Sequence, residues 1–128
     1  MPLNPSHAAT LAIRARDADA LATAFPDFES AAAYRTHTLP LLRADECRWF
    51  WQQIMSPEQY NQTLELCMKS CRTLLSTFGF RQGQHYDWIL QNNVCLLIAH
   101  TDAIATILFD RIPQERHSIL RCSFYEDL

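Results

Sequence analysis

Two of the five cysteines, Cys67 and Cys71, lie four residues apart in the segment ELCMKSC. Residues at this spacing are neighbours on a helix, so two thiolates could share a metal ion there. A closed zinc site needs four ligands, however, and the other cysteines and histidines are scattered, without a second pair at metal-binding spacing. Free cysteine is among the most buried residue types, and both thiols share an apolar helical stripe with Leu64 and Leu75. We therefore interpret the pair as core and expect no metal.

A second group of chemical residues consists of His85, Asp87, His100 and Asp102. If the segments HYDWILQ and VCLLIAH pair as a hairpin, the two histidines meet at its open end with both aspartates nearby. Such a cluster could bind a metal, or act as acid and base on a small ligand. The alternative, which we favour, is that these are solvated side chains at strand ends. Cys95 lies too far along its strand for either histidine to activate it, so we expect it to be inert.

The sequence lacks the common cofactor and nucleotide motifs. It contains two glycines, Gly79 and Gly83, which fit a helix end and a turn and cannot form a glycine-rich phosphate loop. We expect no cofactor.

The segment CRWFWQQIM carries three consecutive aromatic residues. On a helix, Trp49, Phe50 and Trp51 spread over about 200° of the surface, which is wider than one core-facing stripe. Trp and Arg are enriched at binding hot spots, so we take Arg35, Arg48, Trp49 and Trp51 as candidate partner-binding residues. The competing interpretation, which remains open, is that the alanine-rich N-terminal segment packs over these rings.

Charge and hydropathy exclude several classes of protein. The net charge is −3 and no basic cluster is present, so we expect no nucleic-acid binding. The longest apolar run, VCLLIA, is far shorter than the roughly eighteen residues of a membrane span. Charged residues interrupt the N-terminal segment, which therefore does not resemble a signal peptide. These features predict a soluble, cytoplasmic protein.

The length of 128 residues is typical of one domain, and residues 1 to 80 have helical character. We predict a helix from Ser6, as N-cap, to about Ala24, and a second one that Asp27 caps. A third helix follows Pro40, and a fourth extends from Pro57 to about residue 78, between an N-cap at Ser56 and a stop at Gly79.

Residues 84 to 126 are predicted to be mainly antiparallel strands. The first two form the hairpin, with Asn92 and Asn93 in its turn. The segment AIATILFDRI fits a third strand, but a helix over residues 102 to 112 is an open alternative. SILRCSFYE alternates Leu120, Cys122 and Phe124 inward and predicts another strand. The expected fold is α+β, with three to four helices followed by a three- to four-stranded antiparallel sheet in a single domain.

Together these features favour a small cytoplasmic protein that binds another protein. The expected classes are inhibitors, immunity or antitoxin-like proteins, anti-defence proteins, and chaperones or adaptors. The alternative is a ligand-binding or enzymatic α+β domain that uses the His/Asp cluster. The sequence does not identify the partner, and it leaves homodimer formation open.

Overall fold

The computed structural model describes residues 4–91 and 94–125, which form seven α-helices and one two-stranded antiparallel sheet. Short π-helical and 3-10 turns at Tyr34–Thr38, Leu39–Leu41 and Gln114–Arg116 connect some of these elements. In chain order the elements are α1 (Pro5–Ala15), α2 (Ala18–Thr23), α3 (Phe28–Ala33), α4 (Ala44–Ile54), α5 (Pro57–Thr77), β1 (Tyr86–Gln91), β2 (Val94–Ala99), α6 (Asp102–Arg111) and α7 (His117–Cys122).

The α+β class is confirmed, but the element count differs from the prediction. The sheet contains two strands rather than three or four, and the region from residue 84 onward returns to helix after the hairpin. No helix within the described residues combines the length and apolarity needed to cross a membrane.

The segment left open between strand and helix is helix α6. The Thr101 side chain accepts a hydrogen bond from the Ala103 backbone N–H at 3.3 Å and caps the first turn. Ile104, Leu108 and Ile112 are buried at a spacing of four residues, which places them on one helical face.

The predicted strand at SILRCSFYE is wrong, because residues 117 to 122 form helix α7. Leu120 and Cys122 are fully buried as expected, but Ile119 and Ser123, which an alternating strand would expose, are buried as well. An element that is buried on nearly every side shows neither the 3.6-residue period of a helix nor the two-residue period of a strand clearly. The apparent alternation of Leu120, Cys122 and Phe124 was therefore misleading. The segment makes one strand-like contact, an isolated parallel bridge between Leu97 and Phe124.

The N-terminal helix is also divided. The chain leaves α1 at Arg16, whose φ of 53° is left-handed, and Asp17 then caps α2 by accepting from the Ala20 N–H at 3.0 Å. The N-cap of α1 is Asn4 rather than Ser6, since the Asn4 side chain accepts from the Ser6 N–H at 2.8 Å.

The ends of α5 confirm the sequence prediction. Ser56 and Gln59 form a reciprocal capping box, with backbone-to-side-chain distances of 3.2 and 3.1 Å. At the other end Gly79 has φ +83°, and the Phe80 N–H donates to the Leu75 carbonyl at 3.0 Å. With the accompanying bond from the Gly79 N–H to Ser76, this is a complete Schellman motif.

Gly79→Ala is expected to lower the free energy of unfolding by about 1–2 kcal/mol, the cost of holding an L-residue in the left-handed region. A Cβ at this position would meet nothing within 4 Å, so backbone strain is the sole cause. Urea unfolding measures the loss as a lower midpoint, with the dependence of the unfolding free energy on urea concentration unchanged. Gly79→Asn is the control because Asn tolerates the left-handed conformation better than Ala does. Equal midpoints for the wild type and the Ala variant would contradict the assignment.

The hairpin register is the predicted one. Tyr86 pairs with Ala99 and Leu90 with Cys95, and the His100 N–H donates to the His85 carbonyl at 3.1 Å to close the open end. The proposed turn residues Asn92 and Asn93 lie outside the described residues.

Two buried clusters form the core, and α7 contributes to both. The first lies among α1, α2, α4 and the N-terminal half of α5, and the second lies among the C-terminal half of α5, the hairpin and α6. From α7, Ile119 enters the first cluster and Leu120 the second, while Cys67 of α5 packs against both. The two clusters therefore meet along α5 and α7.

Candidate functional site

A half-open groove of about 490 Å³ lies where α4, α5 and α7 meet the connection between α6 and α7. Trp51 of α4 forms one end of its lining, and the α5 wall includes Thr63, Leu66, Cys67 and Ser70, which share one helical stripe. The opposite wall includes Ile119. We call this surface the Trp51 groove.

The chain reverses direction between α6 and α7 to form the rest of the groove. Pro113 follows the end of α6 and also lines the groove together with Ile112. The His117 Nε2 lies 2.7 Å from the Ile112 carbonyl oxygen and pins this turn. The wall opposite α5 is therefore fixed by packing and by a local side-chain bond.

The groove combines an apolar floor with charged groups. Lys69, Glu115 and Arg116 supply the charges, two positive and one negative. Leu66 lines the groove and is 67% exposed, so its apolar side chain is available to a partner. The Trp51 Nε1 is removed from solvent and has no hydrogen-bond partner among the described residues.

One member of the cysteine pair, Cys67, lines this groove. Cys71 is fully buried, as predicted, whereas Cys67 is partly exposed and lines the groove. The two side chains influence each other's titration: the neighbouring Cys71 lowers the pKa of Cys67, and Cys67 together with burial raises the pKa of Cys71. Arg116 lowers the pKa of Cys67 further, against the opposing effect of burial. The interior assignment thus holds fully for Cys71 and only in part for Cys67.

The four candidate partner-binding residues contact different parts of the protein. Arg48 Nη1 donates to the Cys122 carbonyl at 2.9 Å and so ties α4 to α7. The Trp49 ring is partly buried, with the Arg16 guanidinium 5.7 Å from its centroid. The guanidinium of Arg35 lies 5.8 Å from the ring centroid of the exposed Phe28. Of the four, Trp51 lines the groove.

We call His85, Asp87, His100 and Asp102 the His85 group. It lies at the open end of the hairpin, as the register requires. The His85 Nδ1 accepts from the Arg81 N–H at 2.9 Å, and Asp87 accepts from the Trp88 N–H at 2.8 Å. Asp102 lies in the first turn of α6, and His100 is exposed. Within residues 4–91 and 94–125, no group of three or more His, Cys, Asp or Glu side chains is placed to hold a metal ion.

A second hollow, of about 690 Å³, opens between the start of α5 and the hairpin. Its lining includes Gln52, Asn61 and Glu65 together with the exposed Leu90 and the partly buried Cys95. Burial raises the pKa of the Cys95 thiol. Neither this hollow nor the Trp51 groove is lined by the His85 group.

No protein-family model, curated protein or solved structure matches this chain. The candidate site therefore depends on the geometry of the chain itself.

Sequence reasoning missed most of the groove. No functional role is assigned to Leu66 from the sequence. Residues 113 to 116 lie between AIATILFDRI, which is left open between strand and helix, and the predicted strand SILRCSFYE. The available signal was Pro113, which ends α6 and turns the chain toward α5. That turn can be anticipated from the sequence, but the element against which it folds cannot.

Proposed function

We propose that this chain is a small cytoplasmic protein that acts by binding another protein. The matching classes are inhibitors, immunity or antitoxin-like proteins, anti-defence proteins, and chaperones or adaptors. The observation that carries the proposal is the Trp51 groove, a concave apolar surface with an aromatic ring and an exposed leucine in its lining.

The composition of the groove supports a protein partner. Buried aromatic anchors within a polar rim are typical of binding hot spots. Trp51 supplies the aromatic surface, and Lys69 and Arg116 supply a positive rim that Glu115 only partly offsets. A complementary partner would insert an apolar side chain beside Leu66 and present acidic residues to the two cations.

The other candidate residues have supporting roles in this proposal. Arg48 positions α4 against α7 through its bond to the Cys122 carbonyl, and so holds Trp51 relative to Ile119. Trp49 lies beside Arg16 and Arg35 lies beside Phe28, and these are two separate aromatic and cationic contacts outside the groove. The alternative function, ligand binding at His85, Asp87, His100 and Asp102, has less support because neither large cavity includes these side chains.

Leu66→Glu is expected to weaken partner capture by at least about thirtyfold, equivalent to about 2 kcal/mol, because it places a charge beside the apolar floor. Affinity capture from the source cell with the wild-type chain identifies the partner, and titration of that partner against each variant measures the change. An assay of the partner's own activity, with and without the chain, then tests for inhibition.

Leu41→Glu is the matched control, because Leu41 is 82% exposed and does not line the groove. It should bind the captured partner as the wild type does. Equal affinity of the wild type and a folded Leu66→Glu variant would refute the groove as the contact surface. If the chain captured only a second copy of itself, a doubled mass in solution would show a homodimer in place of a separate partner.

A further inference from the structure

Cys67 differs from the other cysteines in its surroundings. Cys47, Cys71 and Cys122 are fully buried, so no reagent reaches them in the folded protein. Cys67 and Cys95 are partly exposed, and each lines a cavity. Of the five thiols, those of Cys67 and Cys95 are the two that are both accessible to a reagent and partly enclosed by a cavity.

The groups around Cys67 favour its thiolate. On its own helix the neighbouring Cys71 lowers the pKa of Cys67, and on the facing connection Arg116, which also lines the groove, supplies a positive charge. Lys69 and Glu115 are the other charged groups that line this groove, which leaves one net positive charge. Cys95 lies in the opposite situation, since burial raises its pKa.

The two sides of the groove each contain a cation suited to a negatively charged ligand. Both Lys69 and Arg116 line the groove and are exposed, so each can pair with a carboxylate. The groove volume of about 490 Å³ leaves room for a small molecule beside the sulfur. The thiol thus lies in a partly enclosed groove with a cationic side chain on each side.

We propose that Cys67 is a modification site at which small disulfides bearing carboxylate groups exchange with the protein. The Cys67 thiolate attacks one sulfur of the disulfide, a new bond forms from Sγ to that sulfur, and the original S–S bond breaks. The other half leaves as a thiolate with the electron pair, and the proton lost from Cys67 passes to solvent or to this leaving group. The number of disulfide bonds is unchanged.

The mixed disulfide is expected to persist until an external thiol removes it. Cys71 is the nearest second thiol, but it lies one turn away on the same helix, where parallel Cα–Cβ vectors oppose the geometry of a disulfide. An internal bond therefore does not displace the adduct. This exchange concerns Cys67 itself and does not depend on the binding of a protein at the groove.

The test measures adduct formation by intact mass on the folded, reduced protein. Its probes are the dianionic 3,3′-dithiodipropionate, the neutral 2-hydroxyethyl disulfide and the dicationic cystamine. Each rate is divided by that of an unstructured cysteine peptide with the same probe, which removes the intrinsic reactivity of the disulfide. At low salt, the dianionic probe should then react with the wild type at least about tenfold faster than the dicationic one.

Two pairs of variants complete the test. Cys67→Ser should abolish the adduct and Cys95→Ser should leave it unchanged. Arg116→Gln together with Lys69→Gln should remove the preference for the anionic probe, whereas the exposed Arg81→Gln should preserve it. The proposal is overturned if the adduct survives in Cys67→Ser, if it disappears in Cys95→Ser, or if the normalised rates of the three probes are equal. The Cys67→Ser variant could lose the adduct because it fails to fold. Peptide mapping of the wild-type adduct therefore serves as a second measurement, and it must locate the modification on Cys67.

Discussion

Truncating Leu120 to alanine is expected to lower the free energy of unfolding by about 2–5 kcal/mol, the range for large-to-small changes in a close-packed core. Leu120 is fully buried and belongs to the cluster formed by α5, the hairpin and α6. The adjoining helical residue, Ile119, belongs to the other cluster. A cavity at Leu120 therefore disturbs α7 at the point where the two halves of the core meet.

Chemical denaturation of the wild type, Leu120→Ala and Leu41→Ala measures this effect. Leu41 provides the same substitution at a site that is 82% exposed, where the change should be within about 0.5 kcal/mol. A similar small loss at both positions would show that α7 does not occupy the centre of the core. Ile119→Ala adds a further check, since a half-buried strand would tolerate it and the buried helix would not.

Arg48→Met is expected to lower the free energy of unfolding by about 1.5–3 kcal/mol, the usual value of a hydrogen bond made by a charged group. Methionine retains much of the apolar stem of arginine, so the loss reports chiefly on the bond from Arg48 Nη1 to the Cys122 carbonyl. Without that donor, the carbonyl at the end of α7 loses its link to α4.

The matched control is Arg43→Met, because the Arg43 side chain is 62% exposed and forms a surface pair with Asp45 at 3.1 Å. Its loss should stay below about 1 kcal/mol. If both variants unfold at the same denaturant concentration, Arg48 has no structural role and its place among the partner-binding residues becomes the better explanation. If only Arg48→Met is destabilised, α4 and α7 depend on this bond for their alignment, and with it the two sides of the Trp51 groove.

Other parts of the site depend on bonds that only a folded chain can form. Arg121 Nε donates to the Leu42 carbonyl at 3.1 Å, and the Leu97 N–H donates to the Ser123 carbonyl. These bonds connect α7 to the segment before α4 and to β2, across wide sequence separations. The sequence contains no local signal for either pairing, because Arg121 and Ser123 read as the outward residues of a strand.

The sequence by itself determined the elements whose signals are local. The capping box at Ser56 and the left-handed Gly79 bound α5 within a residue of the predicted limits. The two-residue separation of HYDWILQ from VCLLIAH predicted the hairpin register. Such signals act through bonds between residues a few positions apart, so they can be recognised from the sequence alone. They also placed Cys67 and Cys71 on one helical face.

Only the tertiary structure decided the state of α7, the depth of Cys67 and the existence of the Trp51 groove. Hydrophobic periodicity reveals an element when one face is buried and the other is wet, and this contrast disappears for a segment enclosed on nearly all sides, such as residues 118 to 123. The groove forms where α4, α5 and the α6–α7 connection approach one another, and its shape is a property of their packing. Whether Cys67 lines a surface or a core therefore depends on how closely residues 112 to 119 approach α5, a distance that the spacing of residues along the chain does not encode.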